Sequence, residues 1–217
     1  MKIKGAIFDM DGTLLDSMAY WNTVGIDYLS RQGIEFNSDK ENYVLHVGIK
    51  KFTEYCNVKY DLNKTYEEVL QALHDIISEK YNTVVQLKPG ALEMLEKFKQ
   101  NGVKMCIATA TEQTEAKAVL KRLGVLDYFS EVFTTTIVGA DKNSPLIYEV
   151  AMNHLGTKKE ETYIFEDAWY AIKTAHDNGF NVVGIEDENT VVPAEEIAPL
   201  CNYFLYSEDN YNTSFLD

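Results

Sequence analysis

Long hydrophobic runs are what this sequence most plainly lacks. No stretch approaches the roughly 20 consecutive apolar residues needed to cross a bilayer, and the apolar segment within MKIKGAIFDMDG is too short for a secretory signal. Positive charge is also scarce: 20 Lys and Arg face 34 Asp and Glu, for a formal net charge of −14. A chain this acidic has no basic stripe to neutralise the phosphates of a nucleic acid. A small anion is a different matter, because it needs only a local positive site or a bound metal. Cysteine is limited to Cys56, Cys106 and Cys201, odd in number and without a CxxC pair. Cys106 lies inside an apolar run and reads as a reduced core thiol. Internal repeats and low-complexity tracts are missing, and Pro occurs only 4 times. The expectation is a cytoplasmic protein with no nucleic-acid or membrane partner.

What is present is an alternation. KGAIFD, VKMCIATA, EVFTT, TYIFED and NVVGIED are continuous apolar runs, as strands buried on both faces of a parallel sheet require. Amphipathic segments separate them. Ala116, Val119, Leu120 and Leu123 fall at i, i+3, i+4 and i+7, closed by Gly124. Leu146, Ile147, Val150, Ala151 and Leu155 repeat the pattern before Gly156. Alternating strand and helix predicts an α/β, Rossmann-like, doubly wound parallel sheet.

One region breaks the rhythm. From Ser17 to about Leu87 no convincing strand is legible, but three helical stretches are. Met18, Trp21, Gly25 and Tyr28 form one face, and SDKE at Ser38 and TYEE at Thr65 fit the capping box. Val69, Leu73, Ile76 and Ile77 give a further stripe. The predicted organisation is therefore an α/β core over 1–16 and 88–217, with an inserted α-helical domain over 17–87.

In an open parallel sheet, ligands bind beyond the carboxyl ends of the strands. The polar residues that follow the apolar runs belong together on that edge: Asp9 and Asp11 after AIF, Thr109 with Ala110 and Thr111 at a helix start after CIA, Lys142 in DKNSP, and Glu166 with Asp167 after YIF. Carboxylate oxygens suit a hard divalent cation, while a helix N-terminus and a lysine suit phosphate oxygens. Two carboxylates two residues apart repel, so FDMDGTLLDS needs either compensation or a turn. An EF-hand loop is excluded, because Gly12 comes too early and Tyr20 stands where the bidentate Glu belongs. The remaining polar residues have plainer readings. Asp16 and Ser17 read as hinge and helix N-cap, His46, His74, His154 and His176 lack metal-ligand spacing, and Lys50 and Lys51 read as solvated. Trp169 and Tyr170 fit either the edge of the site or the core.

DMDGTLLDS, the Thr ending CIAT, the lysine of KNSPLIY and FEDAWYAIKTAHDNG resemble, in order and spacing, the four motifs of the haloacid dehalogenase superfamily from Phe8 to Gly179. The helical insertion after the first motif resembles that family's cap. The resemblance implies Asp9 as nucleophile and Asp11 as general acid/base. It implies Thr109, Ala110 and Lys142 as phosphoryl-binding residues. It further implies Mg²⁺ held by Asp9, the main-chain carbonyl of Asp11 and Asp167, with Glu166 in support directly or through water. The implied activity is hydrolysis of a small phosphorylated metabolite through an aspartyl-phosphate. A phosphomutase is the alternative, but Trp21 stands near the position where those relatives carry a histidine. A dehalogenase would lack Asp11 and Asp167, and a non-catalytic phosphate-binding relative would lack part of the set.

Overall fold

The computed structural model describes residues 3–35, 48–190, 192–209 and 211. It divides into two compact units, one of 1–18 with 85–217 and one of 19–84. Among the described residues no helix is long and apolar enough to cross a membrane.

The larger unit is built on six parallel strands: β1 (Gly5–Phe8), β4 (Lys104–Thr109), β5 (Val132–Thr134), β6 (Thr162–Glu166), β7 (Asn181–Ile185) and β8 (Tyr203–Leu205). They lie in the order β5-β4-β1-β6-β7-β8, which puts the first strand in the middle of the sheet. A separate antiparallel pair joins β2 (Leu15–Asp16) to β3 (Gln86–Leu87). The five apolar runs all became strands. Both faces are covered, so alternate residues of one strand enter different parts of the core. Ile7, Ile164 and Val182 pack with Ile147, Ala151 and Ile172 from the helices Leu146–Leu155 and Trp169–Asp177. Phe8 stacks on Phe165 at 4.4 Å between centroids, and Phe98 from the helix Ala91–Gln100 meets both rings. A buried side chain of this size contributes about 1.5–3 kcal/mol by leaving water, so this aromatic group anchors the centre of the sheet. All three cysteines are free thiols, and Cys106 is buried, as expected.

β8 and the β2–β3 pair were not legible in the sequence. β8 has three residues, of which only Leu205 is buried, and two-residue strands carry no periodicity.

The smaller unit is helical where described, with Ile49–Tyr60, Tyr66–Thr83 and the body of Met18–Arg31. The capping box forms as predicted: Thr65 Oγ1 accepts from Glu68 N at 3.2 Å, and Glu68 Oε2 accepts from Thr65 N at 2.8 Å. Val69, Leu73, Ile76 and Ile77 are buried along one stripe. Lys50 and Lys51 are exposed. The pattern at Ser38 and His46 lies outside the described residues.

Candidate active site

Strand register assembles the site. Phe8 pairs with Ile107 on one side and Phe165 on the other. Asp9, Thr109 and Glu166 therefore leave three adjacent strands at the same edge, the carboxyl ends where ligands bind in such sheets. Asp9 N continues the ladder by donating to Phe165 O at 2.9 Å. The chain then turns sharply, with Leu14 N and Leu15 N both donating to Met10 O and Gly12 N donating to Leu15 O. Gly12 makes this possible. Its φ is +81°, and a Cβ there would collide with the Asp167 carboxylate.

Four charged side chains meet beneath that turn, all almost fully buried: Asp9, Lys142, Glu166 and Asp167. Lys142 Nζ donates to Asp9 Oδ1 and, at 2.8 Å, to Glu166 Oε2. Tyr148 Oη donates to the same Glu166 oxygen at 3.1 Å, and Ala168 N to the other at 3.3 Å. Thr13 Oγ1 donates to Asp167 Oδ1 at 2.8 Å. Asp11 lies apart from this group. Its carboxylate accepts from Ser17 Oγ at 2.7 Å and from Thr111 Oγ1 at 2.8 Å, which fixes its orientation from two sides.

Three buried carboxylates against one ammonium leave an excess of negative charge. Burial, reinforced by the charge of Glu166, pushes Asp9 up to about 7, even though Lys142 pulls it down. Burial and the charges of Asp9 and Glu166 likewise hold Asp167 well above the usual carboxylate range. For Lys142, burial opposes the charge, but Asp9 and Glu166 more than offset it and hold the ammonium well above its ordinary value. Oxygens of Asp9, Glu166 and Asp167 lie within 4.8 Å of one another, the one group among the described residues that could hold a metal ion. An all-oxygen, net-negative, buried cluster fits a hard divalent cation, because such an ion supplies the missing positive charge.

The sequence placed these residues at one edge; in the structure Lys142 pairs with Asp9 and Glu166, and Asp167 has an oxygen within 4.8 Å of theirs. Thr109 and Ala110 lie at the same edge, at the end of β4. One detail differs. Thr109 does not open a helix, because it is still paired with Thr134 as the last residue of β4. Its Oγ1 accepts from Thr111 N at 3.0 Å, and the helix Gln113–Arg122 starts only after this turn. Ser17 precedes the helix Met18–Arg31 but spends its hydroxyl on Asp11. Sequence reasoning missed Thr13 and Tyr148. Thr13 is the hydroxyl next to the turn glycine, and Tyr148 hides in an apolar helical stripe with Ile147, Ala151 and Leu155.

A buried carboxylate cluster that could hold a metal ion, beside a buried lysine on the carboxyl edge of a parallel sheet, is the arrangement a phosphate-handling α/β enzyme needs. Residues 6–185 match the haloacid dehalogenase-like hydrolases, and the chain belongs to that family. It is 24% identical over 177 residues to a phosphorylated carbohydrates phosphatase of Thermotoga maritima, covering 82% of each chain. It is also 24% identical to a fructose-1-phosphate phosphatase of Escherichia coli, over 83% of this chain and 95% of the relative. Among solved structures, a family hydrolase from Deinococcus radiodurans with bound phosphate and sodium superposes with a TM-score of 0.76 at 19% identity, covering 98% and 95% of the two chains. The chain is an enzyme of the phosphoric monoester hydrolase class.

Proposed function

We propose that this chain is a Mg²⁺-dependent phosphatase that hydrolyses a small phosphomonoester metabolite through an aspartyl-phosphate on Asp9. The observation that carries the reading is the buried contact of Lys142 Nζ with Asp9 inside a group of three carboxylates.

Asp9 attacks phosphorus, forming a carboxylate O–P bond while the ester P–O bond breaks. Asp11, oriented by Ser17 and Thr111, gives its proton to the departing oxygen. It then takes a proton from water as the water attacks phosphorus, which frees Asp9 and releases inorganic phosphate. Lys142, the Thr109 hydroxyl and the Ala110 main chain hold the transferring oxygens. Asp9, Asp167 and the Asp11 carbonyl would hold Mg²⁺, with Glu166 in support. The ion supplies positive charge against the repulsion between a carboxylate nucleophile and a phosphate dianion. The two supporting carboxylates are themselves held in place, Asp167 by Thr13 and Glu166 by Tyr148 with Ala168.

Transfer to water rather than to a sugar is supported by Trp21, whose indole N–H donates to Tyr81 Oη at 3.2 Å where a mutase-like relative would place a histidine. The domain division of the proposal is a core over 1–16 and 88–217 and a helical cap over 17–87, in a cytoplasmic enzyme. The test is phosphate release from a panel of small phosphomonoesters with Mg²⁺ and then with EDTA, beside Asp9→Asn. Metal-dependent release that falls more than about 1,000-fold in the variant supports the reading. A folded, metal-binding protein that releases phosphate from no ester overturns it.

A further inference from the structure

The two ends of one short segment meet on a single atom. In KNSPLIY, Lys142 stands in the loop and Tyr148 in the first turn of the helix Leu146–Leu155. Lys142 Nζ donates to Glu166 Oε2 at 2.8 Å, and Tyr148 Oη donates to that same oxygen at 3.1 Å. Tyr148 is fully buried, and its ring stands edge-on to Phe180 at 6.1 Å between centroids. Phenylalanine would fill the same space beside Ile147, Ala151 and Leu155 with no polar group to satisfy. The hydroxyl adds nothing to packing, and it spends its hydrogen bond on the carboxylate cluster.

Counting donors and acceptors gives that bond a task. A carboxylate oxygen accepts about two hydrogen bonds, so Lys142 and Tyr148 together fill Glu166 Oε2. Ala168 N donates to the other oxygen at 3.3 Å, so Glu166 is held from both sides. An ammonium carries three N–H donors. Two of those on Lys142 go to Asp9 and Glu166, which leaves one for a phosphoryl oxygen. That last donor is aimed only as firmly as the two carboxylates are held, so whatever holds Glu166 also orients Lys142. We propose that Tyr148 is a positioning residue for phosphoryl binding: its hydroxyl locks Glu166, and the locked carboxylate aims the remaining N–H of Lys142 at the transferring group. This role rests on the phosphatase reading and adds to it a residue that touches neither phosphate nor metal. A hydroxyl that merely spared Glu166 an empty lone pair would act on stability, and on phosphate and Mg²⁺ binding alike.

The test is Tyr148→Phe, which keeps the ring and removes the hydroxyl, beside Glu166→Gln and the double variant. Calorimetry reads the affinity for inorganic phosphate in the presence of Mg²⁺, and a separate titration reads the affinity for Mg²⁺ alone. Tyr148→Phe is expected to weaken phosphate binding about three- to tenfold, the effect of one lost hydrogen bond, and to lower kcat/KM for the best ester to match. Mg²⁺ affinity is expected to change by less than about twofold. In the Glu166→Gln background, where the shared acceptor is already altered, Tyr148→Phe is expected to change phosphate binding by less than about twofold. Unchanged phosphate binding in Tyr148→Phe, an equal loss of Mg²⁺ affinity, or losses that simply add in the double variant would overturn the role of Tyr148 alone. If Tyr148→Phe does not fold, a crystal structure of the wild type with Mg²⁺ and inorganic phosphate decides. Lys142 Nζ on a phosphate oxygen, with Tyr148 still bonded to Glu166, supports the role, and Lys142 turned away from the phosphate overturns it. No hydrolysis of any ester by folded wild type overturns the phosphatase reading and this role with it.

Discussion

Thr111 Oγ1 donates to Asp11 Oδ2 at 2.8 Å across 100 residues of sequence, tying the first loop of the sheet to the loop after β4. With Ser17 on the other oxygen, the proposed acid/base is held before any substrate arrives. Thr111→Val removes one of the two anchors while keeping the shape. The expected result is a kcat lowered about tenfold with little change in KM, because positioning of a general acid acts on the transition state. Stability should fall by about 1 kcal/mol, the usual net worth of such a bond. Steady-state kinetics beside urea denaturation separate the two effects.

Lys142 is the one ammonium among three buried carboxylates. Lys142→Met is expected to destabilise the metal-free protein by about 3–5 kcal/mol, since it leaves buried charges uncompensated. Urea denaturation in EDTA measures this. Added Mg²⁺ should recover part of the loss, and no recovery would argue against a cation beside these carboxylates.

Asp9 is raised from the ordinary carboxylate range to about 7 by burial and Glu166. In the metal-free native state it binds a proton that the unfolded chain has already lost. Stability in EDTA is therefore expected to fall as pH rises from about 4 towards 7. Metal binding runs the other way, because a cation must displace that proton. Affinity should rise through pH 7, by about tenfold per pH unit for each proton displaced, and calorimetry in buffers of different ionisation enthalpy should show proton release. Binding that is flat from pH 6 to 8 would contradict this picture of Asp9.

Gly12 sits at φ +81° with Asp167 where a Cβ would go. Gly12→Ala strains the backbone and pushes on a proposed metal ligand. A stability loss of about 1–3 kcal/mol is expected, together with weakened Mg²⁺ binding. A neutral substitution would mean that the turn relaxes without disturbing Asp167.

Much of this was legible in the sequence because the relevant signals are local. Continuous apolar runs marked five of the six strands of the central sheet, and the polar residues ending them marked one edge. Thr65 with Glu68 announced a helix start. What escaped was whatever depends on contacts distant in the chain. Tyr148 belongs to an apolar stripe by periodicity, and only the approach of β6 turns its hydroxyl into a support for Glu166. Thr13 gave no signal of its own and Ser17 read as a helix cap, yet their hydroxyls donate to Asp167 and Asp11, partners supplied by the fold. Thr109 looked like a helix cap because its pairing with Thr134, which prolongs the strand, leaves no trace in the segment itself. Tyr211 sits in a polar stretch, SEDNYNTSFLD, that offers no reason to expect a buried ring.

The central claim is that Asp9 carries the phosphoryl group. The measurement that reaches it most directly is acid quenching of the enzyme during turnover of a ³²P-labelled monoester with Mg²⁺, followed by peptide mapping. Label on the peptide containing Asp9, absent in Asp9→Asn and in EDTA, is the expected result. Metal-dependent turnover with no label on Asp9, or undiminished turnover by Asp9→Asn, would contradict it.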